Sequence, residues 1–342
     1  MNTLPRIGFM LGDVTGIGPE IASKLLASGK PREQAEVIII GDQRVLELGM
    51  RNAGVKVPYT VHRSIEDIRW PREDYPLLDL GNTDPAKYPQ GVSSDEAGKI
   101  AGDTLKVMID LATAGKLDGI CFAPLNKGAM NRGGWKFNDE HQMFASLLNH
   151  SGFFGEMNVI DQFSTFRVTS HVALREAVTM ITPERITAAV NLANDTLTAA
   201  GKTKPRIGVA ALNPHNGENG LFGDEEIRII RPTVDKLKAG GINCSGPISS
   251  DVIFLQALKG NYDGVVMMYH DQGQIATKLL GFNKGVTVTA GLKSVFTTPA
   301  HGTAYDIVGQ GKADPGAMEH AFTLAARMAA GRKAAKSANA AA

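Results

Sequence analysis

The sequence predicts an α/β protein of two domains built on largely parallel sheets, and three observations carry that expectation. Short apolar or β-branched runs recur without polar alternation, the pattern of strands buried on both faces. Longer segments of helical period lie between them. The 342 residues suit about two domains, yet no Pro- or Ser-rich linker separates two halves, so the second domain is expected to be interleaved with the first.

In chain order, the strand runs are residues 7–10, 37–40, 77–80, 120–123, 159–161, 207–211, 265–269 and 286–289, with a further run from Phe166. Helices are expected over 96–114, closed by Gly115, and over 225–239, where Ile227, Ile230, Val234 and Leu237 recur at spacings of three and four. Pro19 sits at the favoured first helical position after a glycine-rich turn. A last helix runs from Pro315 to about Arg332, and the small-residue segment 333–342 reads as a disordered tail.

Composition narrows the function. Lys plus Arg number 36 and Asp plus Glu 35, a net charge of +1, so no general attraction to nucleic acid or acidic lipid is implied. The two cysteines, Cys121 and Cys244, exclude a disulfide scaffold or a cysteine-based zinc cluster. No signal-peptide pattern and no run of about 18 apolar residues occurs, so a soluble cytoplasmic protein is expected, with no membrane partner. Glycine is the one strong excess, 38 residues, which calls for tight turns or close backbone approach to a ligand.

The chemistry-bearing residues cluster after strands. Gly12-Asp13-Val14-Thr15-Gly16-Ile17-Gly18-Pro19-Glu20 follows the first strand and opens a helix. Such a turn can present N–H groups to an anion or serve only as a tight connection. It is neither a dinucleotide G-x-G-x-x-G nor a P-loop, and Thr196 stands where a Walker loop ending at Gly201-Lys202-Thr203 needs its first glycine. His171, His215 and His270 each lie at the carboxyl end of an expected strand, where open α/β sheets bind ligands. Converging, they make a divalent metal site with open positions; singly, they are solvated loop histidines. Asp251, Asp271 and Glu218 can orient imidazoles, or cap and turn the chain. His301-Gly302-Thr303-Ala304-Tyr305-Asp306 has a glycine where an adenine or ribose can approach, with Asp306 as an acceptor for ribose hydroxyls; the alternative is a plain loop. Lys127 and Lys278 can meet a substrate anion or stay exposed.

Taken together, the Gly12–Glu20 turn, Ala123-Pro124-Leu125-Asn126-Lys127, Thr169-Ser170-His171-Val172-Ala173-Leu174, Leu212-Asn213-Pro214-His215-Asn216-Gly217-Glu218, Tyr269-His270-Asp271-Gln272-Gly273 and His301-Gly302-Thr303-Ala304 resemble, in order, the 4-hydroxythreonine-4-phosphate dehydrogenase (PdxA-like) family. The His301 segment is also similar to the adenosine-binding loop of isocitrate and isopropylmalate dehydrogenases. The resemblance implies that fold, with 1–133 plus 286–332 on the cofactor side, 134–285 on the metal and dimer side, and the active site in the cleft between them. It implies a homodimer whose active site is shared across the interface. His171, His215 and His270 would hold one divalent metal, one imidazole coming from the other subunit. Zinc is the first expectation, with magnesium, cobalt or manganese as alternatives. NAD(P) would lie against Gly217, His301, Gly302, Thr303 and Asp306. Asp251 and Lys127 would be catalytic. The reaction implied is oxidation of a secondary hydroxyl β to a carboxylate, then loss of carbon dioxide.

Departures from the family pattern bear on the substrate. His141-Gln142 stands for a His-Thr pair, Thr287 for an Asn, and Phe296 for an Arg, while Lys278 is kept. Replacing a guanidinium by an aromatic ring removes a bidentate phosphate partner. The expectation is therefore a non-phosphorylated substrate, and the resemblance implies a ring substrate of the kind taken by terephthalate dihydrodiol dehydrogenases, a cis-dihydrodiol carboxylate such as terephthalate dihydrodiol, held by His141, Gln142, Lys278, Thr287 and Phe296. The alternatives are 4-phosphohydroxythreonine or a phosphorylated four-carbon sugar acid and, from another class, a metallohydrolase without nicotinamide.

Overall fold

The computed structural model describes residues 4–70, 73–160, 162–281 and 285–341. It is an α/β protein whose chain divides into two compact units, 1–151 with 292–342, and 152–291. The chain therefore leaves the first unit once and returns to it, at boundaries 18 and 6 residues beyond the expected 133 and 285. Among the described residues no helix is long and apolar enough to cross a membrane.

The first unit holds β1 (Arg6–Met10), β2 (Glu36–Gly41), β3 (Tyr59–His62), β4 (Tyr75–Asp79) and β5 (Gly119–Phe122). The second holds β6 (Gly155–Val159), β7 (Ser164–Arg167), β8 (Ile207–Ala210), β9 (Cys244–Ile248), β10 (Gly264–Met267) and β11 (Val286–Ala290), after which β12 (Val295–Pro299) completes the first. In the first unit the order is β3-β4-β2-β1-β5-β12, and every pairing is parallel. In the second the order is β11-β6-β7-β10-β8-β9, antiparallel on both sides of β6 and parallel from β7 onward.

The all-apolar runs became the central strands because both faces are covered: Val37, Ile38, Ile39 and Ile40 are all buried. The expected helix over 96–114 forms as Asp95–Thr113, capped where the Ser94 hydroxyl accepts from the Ala97 N–H. The expected 225–239 segment forms as a π-helical turn, Glu226–Ile230, running into Arg231–Ala239. The final helix continues through Ala341 rather than ending near Arg332, because an alanine-rich segment is a strong helix former. Asp161, the end of one expected strand, lies outside the described residues.

Candidate active site

In the second unit the topology brings the three histidines to one edge. β7, β10 and β8 are adjacent parallel strands, and His171, His270 and His215 follow their carboxyl ends within five residues. His171 and His270 face each other, ring centroids 5.5 Å apart, beside a cavity of ≈ 220 Å³ that both line. The His270 Nδ1 lies 2.6 Å from the Asp271 carboxylate, which orients the ring and leaves Nε2 for another partner. His215 does not join them: its loop carries it beside Phe222, ring centroids 6.3 Å apart. Among the described residues no three His, Cys, Asp or Glu side chains form a set that could hold a metal ion. The donors present thus fit two ligands of such an ion, not three.

The backbone here is unusual. His171, His215, Asn216 and Glu218 have positive φ, as does Ala304 in the other unit, a region that side chains other than glycine rarely adopt. Gln272 holds the His270 turn in place: its amide donates to the Ala211 carbonyl and the Ser250 hydroxyl, and its oxygen accepts from the Met268 N–H. Asp251 is exposed next to Ser250, on a groove of ≈ 550 Å³ that Tyr269 and Asp271 also line. Apolar Leu255, Ile275 and Leu279 stand exposed along that groove. Lys278 is exposed on the same helix as His270, His270–Gly281.

Two residues expected at the site make packing and hydrogen-bonding contacts within this unit. Gly217, expected beside the cofactor, is buried at φ 77°, and a Cβ there would meet the Glu226 carboxylate at 2.8 Å. Its lack of a side chain serves the packing of Glu226, which accepts from the Leu212 and Asn213 N–H groups. Thr287 is buried in β11, and its hydroxyl accepts from the Asn158 amide.

In the first unit, three strand-end segments meet. The glycine-rich turn after β1 lies against the His301 segment after β12: the Ile17 N–H donates to the Thr303 carbonyl, and a Cβ on Gly16 would stand 2.9 Å from that of Thr303. The Tyr305 hydroxyl donates to the buried Asp13 carboxylate at 2.7 Å and accepts from the Asn126 amide at 2.8 Å. Asn126 also caps the helix Lys127–Arg132. The Lys127 ammonium lies 2.8 Å from Glu140, whose neighbour His141 is buried while Gln142 is exposed. His301 is half-buried, its Nδ1 3.0 Å from the Gly302 carbonyl, and Gly302 and Asp306 are exposed. Asp13, Asn126 and Tyr305 lie inside motifs visible in the sequence, but nothing in their spacing showed that they bond to one another.

Phe296 corrects the substrate expectation. It is 1% exposed in β12, stacked on Phe144 at 4.3 Å with ring planes 15° apart, and Phe144 in turn meets Phe122 edge-on. The ring completes an aromatic core and has no face for a substrate.

A two-unit α/β fold with loaded strand ends describes a class. The family model described as "Pyridoxal phosphate biosynthetic protein PdxA" matches residues 33–325, and the chain belongs to that family. Its relatives include "Putative 4-hydroxythreonine-4-phosphate dehydrogenase 2" of Pseudomonas aeruginosa, 44% identical over 95% of this chain and 97% of that protein. Another is the D-threonate 4-phosphate dehydrogenase of Cupriavidus necator, 39% identical over 96% and 98%. A crystal structure of a 4-hydroxythreonine-4-phosphate dehydrogenase from Burkholderia phymatum superposes with TM-score 0.80 at 38% identity, over 96% of this chain and 99% of that one. The terephthalate 1,2-cis-dihydrodiol dehydrogenase of Burkholderia xenovorans is more distant, with TM-score 0.67 and 25% identity over 94% and 98%. Relatives named for phosphorylated substrates are thus the nearer ones, and together with the buried Phe296 they overturn the non-phosphorylated ring substrate.

Proposed function

We propose that this chain is an NAD(P)-linked dehydrogenase acting on a four-carbon hydroxy acid phosphorylated at C4, of the 4-phosphohydroxythreonine or 4-phosphothreonate class. The observation that carries the reading is full-length similarity to relatives named for those two substrates. Both compounds share a C1 carboxylate, a secondary hydroxyl at C3 and a C4 phosphate, and differ only in the amino or hydroxyl group at C2.

The reaction removes a hydride from C3 and a proton from its hydroxyl, leaving a 3-keto acid. Nicotinamide, when bound, accepts the hydride. The keto group then stands β to the carboxylate, so loss of carbon dioxide follows through the enol. His171 and His270 are the residues that would hold a divalent cation, zinc first, with His215 of a second copy as the remaining imidazole. That cation, when bound, polarises the hydroxyl and lowers the cost of charge on its oxygen. Asp271 fixes the orientation of His270 by its bond to Nδ1. Asp251, at the rim of the same region, is the candidate to take the hydroxyl proton.

Lys278 and His141 are the proposed partners of substrate anions, with Gln142 beside His141. His301, Gly302, Thr303 and Asp306 are the proposed cofactor contacts, where the exposed Asp306 carboxylate can accept from ribose hydroxyls. The exposed Leu255, Ile275 and Leu279 support a homodimer through the second unit, since a patch of this kind marks an association surface. A cytoplasmic location suits an enzyme that draws on NAD(P).

The test is turnover of both phosphorylated acids with NAD⁺ and with NADP⁺, followed by nicotinamide absorbance, before and after chelation and metal return. Turnover of at least one acid, lost on chelation and restored by metal, is expected. Binding of neither nicotinamide, with metal-dependent hydrolysis instead, would replace this reading by the metallohydrolase.

A further inference from the structure

Of the polar clusters in the fold, the one at the strand ends of the first unit has a buried carboxylate with no role in the reaction proposed above. Asp13 is 1% exposed, yet it takes part in hydrogen bonds that span the chain. Its Oδ1 accepts from the Thr15 N–H and hydroxyl, both at 2.9 Å, which folds the glycine-rich turn around it. Its Oδ2 accepts from the Tyr305 hydroxyl at 2.7 Å, 292 residues away in sequence. Its own N–H donates to the Pro124 carbonyl, at the end of β5.

Tyr305 is the hinge of this arrangement. Its oxygen sits between the Asp13 carboxylate and the Asn126 amide, so one hydroxyl donates and accepts and joins three segments. Around it the segment has a closed side and an open side. Thr303 packs on Gly16 and bonds Ile17 through its carbonyl, while a Cβ added to Gly302 would meet nothing within 4 Å and Asp306 is exposed. Between them Ala304 is held at φ 41°, a conformation that an alanine leaves unless its surroundings fix it.

We propose that Tyr305 is a positioning residue for the nicotinamide cofactor, clasping the His301–Asp306 segment to Asp13 so that its open side stays preformed. This rests on the reading of that segment as the cofactor contact. A preformed loop spares the ordering cost of binding, so the clasp acts on cofactor affinity and leaves the chemical step alone.

Tyr305→Phe removes the hydroxyl and keeps the ring. We expect the Kd and KM for NAD(P) to rise five- to twentyfold, with kcat at saturating cofactor and the KM for the acid changed less than twofold. The double variant with Asp13→Ala should bind cofactor no more weakly than the worse single variant, because each change removes the Tyr305–Asp13 bond. Amide hydrogen exchange of residues 301–308, measured without cofactor, should be faster in Tyr305→Phe than in the wild type. Unchanged exchange and unchanged Kd would overturn the clasp. Faster exchange with wild-type cofactor affinity would overturn its role in binding. Exchange reads the clasp directly, so a wild-type chain that binds no nicotinamide would overturn the cofactor reading and the positioning role, not the bond itself.

Discussion

The strand ends of the two units are built on opposite plans. In the first, Asp13, Thr15, Asn126 and Tyr305 satisfy one another, and the glycine-rich turn has little unspent polarity. In the second, His171 and His270 stand 5.5 Å apart beside open space, and the Asp271 carboxylate lies 2.6 Å from the His270 ring. A satisfied network makes a rigid floor on which a ligand can lie; two imidazoles lining a cavity offer nitrogen atoms to whatever enters it. A motif rich in chemical groups is not thereby a reactive site, since the first unit uses its groups for shape.

Phe296 gives the sharpest way to break that contrast, because it places an aromatic ring on the structural side. Phe296→Arg would put an unpaired charge against Phe144 and is expected to cost more than about 4 kcal/mol, leaving little folded protein. Phe296→Ala should cost about 3–5 kcal/mol, read from the urea midpoint. An arginine variant of wild-type stability would return residue 296 to the substrate site.

On the open side the effect should fall on turnover. His270→Ala and His171→Ala are each expected to lower kcat/KM at least about 100-fold, about 2.7 kcal/mol, with a change in thermal midpoint of only a few degrees. Loss of folding in both, with no loss of specific activity in the folded fraction, would make the pair structural. A smaller effect is expected at the groove: Leu279→Glu should weaken self-association in sedimentation, as a charge on an apolar association surface does. An unchanged sedimentation coefficient would remove this groove from the interface.

What residue order alone reveals follows the same division. Buried runs such as Val37–Ile40 declare themselves because both faces of a parallel strand are apolar. β3 did not, since Thr60 and Val61 are exposed at a sheet edge, and β9 did not, because Gly246 and Pro247 interrupt it. The histidines were legible as strand-end residues, yet only two come together in one chain, and the reason, left-handed backbone at His215 to Asn219, leaves no trace in residue spacing. A departure from a family pattern, as at Phe296, looks like a change of substrate. It is equally a change of core, and only its stacking on Phe144 decides between them. The Tyr305–Asp13 bond joins residues 292 apart and could not be read from either motif alone.

The least dramatic prediction tests whether the second unit's frame is as self-satisfied as the first unit's floor. Asp263, just before β10, is gripped by the Arg206 side chain and N–H and by Lys202, with bonds of 2.9–3.1 Å. Hydrogen bonding by the Arg206 guanidinium, followed by partial burial, sets its acidity, and the net result is a carboxyl held well below the usual carboxylate range. A depressed folded-state value means that ionised Asp263 stabilises the fold fully above the ordinary value near about 3.9. The contribution is lost progressively as the pH falls below that towards the folded value. Because Arg206 and Lys202 are each about half exposed, solvent screens the pair and the effect should be about 1 kcal/mol. Asp263→Asn should therefore lower the urea midpoint modestly at pH 7 and flatten its decline between about pH 4 and 2. Equal acid sensitivity in the variant and the wild type would show that other carboxylates, not this clamp beneath His270, govern the unit's loss of stability in acid.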